Sequence, residues 1–123
     1  MYSKKELLRV MKRNLNSEQE IIIFYVTNLE KLNYSKNKKK ISNLIFDSLE
    51  HAGMITAEIM ELQKNAKGKL DKKTRDKALK EETGLKEIYK YEFKKTKEAK
   101  ALKVLNQLIL EETKHEKIVK TLK

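Results

Sequence analysis

The chain has no proline, no cysteine and only three glycines among 123 residues. Each absence removes a class of answers. Without cysteine there can be no disulfide, thiolate zinc site, iron–sulfur cluster or thiol nucleophile. A rubredoxin-type iron centre, which needs thiolates, is excluded with them. Proline and glycine are the residues that interrupt helices, so a chain almost free of both and rich in Lys, Glu, Leu and Ile is expected to form long helices. No apolar run approaches the length of a membrane span, and Met1-Tyr2-Ser3-Lys4-Lys5-Glu6 lacks the apolar centre of a signal peptide. These features lead to the expectation of a soluble, cytoplasmic protein with no membrane contact. The length suits one domain over residues 1–123.

Charge is what the chain has in excess. Its 29 Lys and Arg against 18 Asp and Glu give a formal charge of +11, which raises a nucleic-acid reading. Acidic residues are nevertheless interleaved with basic ones along nearly every expected helix. A solvated Lys/Glu surface, a habit of proteins from hot environments, is therefore the preferred reading over nucleic-acid binding. The densest basic run, Lys36-Asn37-Lys38-Lys39-Lys40, falls at an expected turn and helix start, where the helix dipole disfavours positive charge. It is the best candidate for a phosphate or partner contact.

Apolar residues recur at alternating spacings of three and four, which predicts four amphipathic helices. The first begins after Ser3, with Ser3 and Glu6 as a capping box. Its stripe is Leu8, Met11, Leu15, Glu18, Ile22, Tyr25, Leu29 and Leu32. A second start at Ser17 is an alternative, and the β-prone run Ile21-Ile22-Ile23-Phe24 has no partner run with which to form a sheet. A turn at Asn33-Tyr34-Ser35 leads to the second helix, about Asn37 to Leu62, with Ile41, Leu44, Ser48, His51, Ile55 and Ile59 or Leu62 inward. Lys64 to Lys73 is the linker. Asp71 or Thr74 caps the third helix, whose stripe is Ala78, Glu82, Leu85, Tyr89 and Phe93. After a break near Thr96 to Lys100, the fourth carries Leu105, Leu108, Glu112, His115, Val119 and Leu122.

The two halves repeat. Sliding the chain by the 64 residues that separate its two histidines, His51 and His115, superposes Leu15 on Leu79, Glu18 on Glu82, Tyr25 on Tyr89, Leu44 on Leu108, Ile45 on Ile109 and Asp47 on Glu111 without a gap. Internal repeats decide the fold. The expected architecture is all-α, a four-helix bundle of two repeated helical hairpins, about 3–64 and 72–123.

Polar residues occupy the stripes at mid-height in both copies. Glu112 and His115 lie three apart, so both side chains leave one face of a helix. Glu18, Glu82, Glu112, His51 and His115 would bring three carboxylates and two imidazoles to one level. Buried carboxylates need compensation, and a divalent ion supplies it most simply.

On these residues the chain resembles the ferritin-like superfamily, and within it the rubrerythrin-type di-iron carboxylate proteins that lack a rubredoxin domain. Such bundles place one Glu on each of two helices and a Glu-x-x-His on each of the other two. Glu18 and Glu82 match the single carboxylates, Glu112 and His115 the second Glu-x-x-His, and His51 the histidine of the first. Tyr25 and Tyr89 match tyrosines that such proteins place near the metals, which implies a redox-adjacent role. The pattern departs at Ser48, where a bridging glutamate is expected; Asp47 or Glu50 would have to substitute. The resemblance implies two iron ions, with manganese or zinc as other occupants. It also implies reduction of peroxide or dioxygen, or oxidation of ferrous iron, with electrons from a separate donor protein. The alternative is a metal-poor bundle that binds a protein or nucleic-acid partner.

An assembly expectation follows from the linker. If the second and third helices run parallel within one chain, the segment between Leu62 and Thr74 must span roughly 28 Å. Its extended reach is about 36 to 40 Å. So little slack predicts a homodimer, either side by side or domain-swapped.

Overall fold

The computed structural model describes residues 1–123. It contains four α-helices and no strand: α1 (Lys4–Thr27), α2 (Tyr34–Leu62), α3 (Lys72–Lys95) and α4 (Ala99–Thr121). The all-α class read from composition is the class that forms. α1 packs on α2 and α3 on α4, and the chain divides into two compact units, Met1–Lys67 and Gly68–Lys123, each a helical hairpin. No helix is long and apolar enough to cross a membrane.

Local chemistry sets the helix ends. The Glu6 amide donates to Ser3 Oγ at 3.1 Å, and the Ser3 hydroxyl donates to Glu6 Oε1 at 3.0 Å. The carboxylate thus answers the capping hydroxyl itself, a variant of the capping box. α1 continues through Asn16-Ser17 because Ser17 Oγ bonds back to the Arg13 carbonyl at 3.2 Å and caps no new helix. The β-prone Ile21–Phe24 run lies inside α1. Packing on α2 overrides its local preference.

Two expected boundaries shift. α1 stops at Thr27 instead of Leu32, where the backbone and side-chain amides of Asn28 both donate to the Phe24 carbonyl, at 3.1 and 2.9 Å. The turn then occupies residues 28–33 and closes at Asn33, which adopts the left-handed conformation with φ 50°. α2 gains a first turn before its expected start. Asn37 is the kink, with φ −103° and ψ 18°, and its side chain donates to the Leu32 carbonyl at 2.9 Å.

The second hairpin is tighter. Asp71 caps α3 by accepting the Thr74 amide at 2.7 Å, a bond that holds its carboxyl below the ordinary value. Residues 96–98 make the α3–α4 connection, and the Glu98 carboxylate caps α4 by accepting the Lys100 and Ala101 amides at 3.0 and 2.7 Å. The Arg75 guanidinium donates to the Leu122 carbonyl, tying the start of α3 to the end of α4.

Each hairpin has one seam, and the seams are related by the 64-residue repeat. In the first, Leu15, Glu18, Ile22 and Tyr25 of α1 meet Ile41, Ile45, Ser48, Ala52 and Ile55 of α2. In the second, Leu79, Glu82, Lys86 and Tyr89 of α3 meet Leu105, Ile109, Glu112, Glu116 and Val119 of α4. Leu44, His51, Leu85 and His115, expected on the inward stripes, each fall one position off the seam and are exposed. The expected stripe was as wide as that of a globular-protein helix, whereas two helices in contact cover only a narrower a/d strip.

Asn33 offers a test of the turn. A Cβ in the left-handed region costs about 1 kcal/mol or more unless the residue is Gly or Asn. Asn33→Ala should lower stability by about 1 kcal/mol, while Asn33→Gly should be neutral or stabilising. Urea denaturation read at constant m value checks the pair.

Candidate metal centre

At mid-height of the second seam, Glu82, Glu112 and His115 converge. One ligand atom from each lies within 4.8 Å of the other two, the only such trio of potential metal ligands in the structure. His115 Nδ1 lies near both carboxylates, 3.3 Å from Glu82 Oε2 and 3.5 Å from Glu112 Oε1. The helix repeat explains the convergence. Glu112 lies on the seam of α4, His115 lies three residues on and just off it, and Glu82 comes across from α3.

Burial grades the three ligands. The Glu112 side chain is 9% exposed, that of Glu82 29% and that of His115 45%, so the trio has a closed carboxylate end and an open imidazole end. Glu112 Oε2 is buried with no hydrogen-bond partner. Leaving such an oxygen unpaired is costly. Two carboxylates at this separation need a cation between them, either a proton or a metal ion. The hydrogen bond that a protonated Glu112 makes to Glu82 is the largest of the effects holding its carboxyl above the ordinary value. Burial and the Glu82 charge act in the same direction, and His115 opposes them. The residues therefore fit a hard or borderline divalent ion: two oxygens and one imidazole nitrogen on one side, with open positions towards solvent.

The first seam carries the same contact in reduced form. His51 Nδ1 lies 3.4 Å from Glu18 Oε1, the pairing expected of residues 64 positions before His115 and Glu82. Ser48 occupies the place of Glu112 and, like it, is buried. Asp47 and Glu50, the two carboxylates considered as substitutes for the one missing at Ser48, are exposed, and neither joins Glu18 and His51 in a three-ligand group. Serine relieves the electrostatic problem and removes the ligand with it.

Tyr25 and Tyr89 are half-buried on the seams. Each is two helical turns, about 10 Å of rise, beyond Glu18 or Glu82. The Tyr25 ring packs edge-on against Phe24 at 5.7 Å. A redox part for either ring would act across that distance without contact.

Sequence reading missed a second polar layer one turn from the trio. Glu116 Oε1 accepts from Lys86 Nζ at 2.7 Å, and Glu116 Oε2 accepts from the Thr83 hydroxyl at 2.6 Å. Those bonds hold the Glu116 carboxyl below its ordinary value. The repeat contained the signal: Lys86 and Glu116 align with Ile22 and Ala52, so a facing pair of seam positions turns from apolar to oppositely charged.

Comparison with protein-family models, curated proteins and solved structures finds no match for this chain. The ferritin-like and rubrerythrin readings therefore rest on the ligand pattern and the repeat alone.

Glu112 makes the metal-free protein's stability depend on pH in an unusual direction. A carboxyl whose folded value is raised binds its proton more tightly when folded, so its contribution improves as pH falls from above the folded value towards the ordinary carboxylate range. Asp71 and Glu116, both held low, have the opposite sign and lose their contribution only below that range. Metal-free protein in chelator should gain stability relative to Glu112→Gln as pH is lowered from 7 into that window. At pH 7 Glu112→Gln should be the more stable by about 1 kcal/mol. Thermal melts of both proteins across pH check the crossover.

Proposed function

We propose that this chain is a non-haem metal-binding protein of the rubrerythrin-like kind, with Glu82, Glu112 and His115 as its principal ligands and iron as the intended ion. The observation that carries this reading is the buried Glu112 carboxylate, one oxygen of which has no partner, grouped with a second carboxylate and an imidazole. A structural ion-pair cluster would have lysine or arginine at that level; this one has only anions and a histidine. Manganese or zinc suits the same donors less selectively.

Glu82 and Glu112 would neutralise the ion and His115 Nδ1 would complete the protein side. This requires the proton of His115 to sit on Nε2. An iron ion held there supplies one-electron chemistry towards peroxide or dioxygen, or is itself oxidised from the ferrous state. The open imidazole end gives small oxidants access, while the seam excludes water from Glu112. Electrons for repeated turnover would come from a separate donor protein, since the chain has no cysteine-ligated centre. The Glu18–His51 pair offers only two donors, so an ion at that separate place would be held more weakly than one at the trio. A homodimer, ordinary or domain-swapped, fits the large apolar residues left exposed, among them Phe46, Met54 and Ile88.

Titration of the full chain with ferrous iron or manganese should saturate tightly at one ion. Glu82→Gln with His115→Ala should abolish that binding, while Glu18→Gln with His51→Ala should leave it within a few-fold of the parent. Binding that survives the first double variant would overturn the assignment. Ser48→Glu should add a second, weaker equivalent, and elemental analysis after gel filtration would count it.

A further inference from the structure

We infer that Lys86 and Thr83 withhold Glu116 from the metal-binding trio and thereby fix its protein ligands at three; this rests on the metal-binding reading above. Glu116 follows His115 directly and lies four residues from Glu112, so its side chain leaves the same face of α4 one turn on. By position it is a spare carboxylate on the covered face of α4. Both of its oxygens are already engaged, one by the Lys86 ammonium at 2.7 Å and the other by the Thr83 hydroxyl at 2.6 Å. The pair is well covered, with side chains 19% and 13% exposed.

The first hairpin shows that this layer is not needed for packing. Its equivalents, 64 positions earlier, are Ile22 for Lys86, Gln19 for Thr83 and Ala52 for Glu116, and α1 still packs on α2. That hairpin also lacks the third ligand, having Ser48 in place of Glu112. The clamp and the complete trio therefore occur together, in the one hairpin where a spare carboxylate stands beside a metal site.

Lys86 sits four residues from Glu82 on α3, just as Glu116 sits four from Glu112 on α4. The two layers are stacked: a metal ion would neutralise the anions of one, and an ammonium neutralises the anion of the next. Removing the ammonium would leave a covered carboxylate with only a hydroxyl partner, one turn from a divalent ion. A covered, unpaired charge is costly, and coordination to the ion relieves it. Lys86 is thus a specificity-determining residue that keeps open a position which Glu116 would otherwise fill.

The test uses cobalt(II) as the probe, because its visible absorption reports coordination number as well as affinity. The full chain should bind one cobalt(II). Lys86→Met should bind it at least about tenfold more tightly, by the gain of the Glu116 carboxylate as a ligand, with an altered absorption spectrum. Adding Glu116→Ala to Lys86→Met should return both affinity and spectrum to those of the parent. Parent-like or weaker binding by a folded Lys86→Met overturns the inference alone. Tight binding that persists in the double variant overturns it as well, since the gain would then belong to the charge of Lys86 and not to Glu116. If Lys86→Met does not fold by circular dichroism, Lys86→Gln, which retains a hydrogen-bond donor, carries the same expectations. Absence of binding by both the parent and the lysine variant overturns this inference together with the metal-binding reading.

Discussion

A carboxylate in a helix–helix seam is the constraint on which the second hairpin depends. Glu112 sits where Leu or Ile would pack, with one oxygen shut away from water and unpaired. Glu82 faces it from α3 and His115 from the next turn of its own helix. Replacing the trio with apolar residues would give a simpler hairpin, since buried ionic groups are rarely retained for stability alone.

The first hairpin works as an internal control. It has the same register of seam positions and the same Glu–His contact, but Ser48, Ile22 and Ala52 replace the residues that give its counterpart a charged interior. One half of the chain is thus a largely apolar version of the other. This contrast separates what the hairpin needs to fold from what the second copy adds. Folding needs the a/d alternation and capped ends. The additions are two carboxylates grouped with a histidine and a clamped carboxylate one turn on.

Much of this was legible in the residues. Lack of proline and scarcity of glycine determined the helical class, the Ser3 and Asp71 caps placed two helix starts, and the spacing of the two histidines exposed the repeat. Sequence reading also named Glu82, Glu112 and His115, which the structure brings together. Leu44, His51, Leu85 and His115 were harder to place, because a three-and-four stripe leaves neighbouring positions nearly equivalent until the width of the packing contact is known. The end of α1 was misread for a different reason: Leu29 and Leu32 continue the apolar period while the Asn28 side chain ends the helix. Lys86 and Glu116 escaped notice because single-helix patterns treat each charge as solvated. Only alignment of facing seam positions reveals them as partners.

All three residues of the trio belong to one local unit. Glu82 and His115 are 33 residues apart, joined through a connection of three residues between two helices. Closing so short a loop has little entropic cost, and helical hairpins are among the fastest structures to form. The site can therefore be assembled as soon as α4 has docked on α3. A metal ion present at that moment would meet a nearly finished set of ligands and could stabilise the hairpin as it forms, making the ion a participant in folding as well as a passenger of the folded chain.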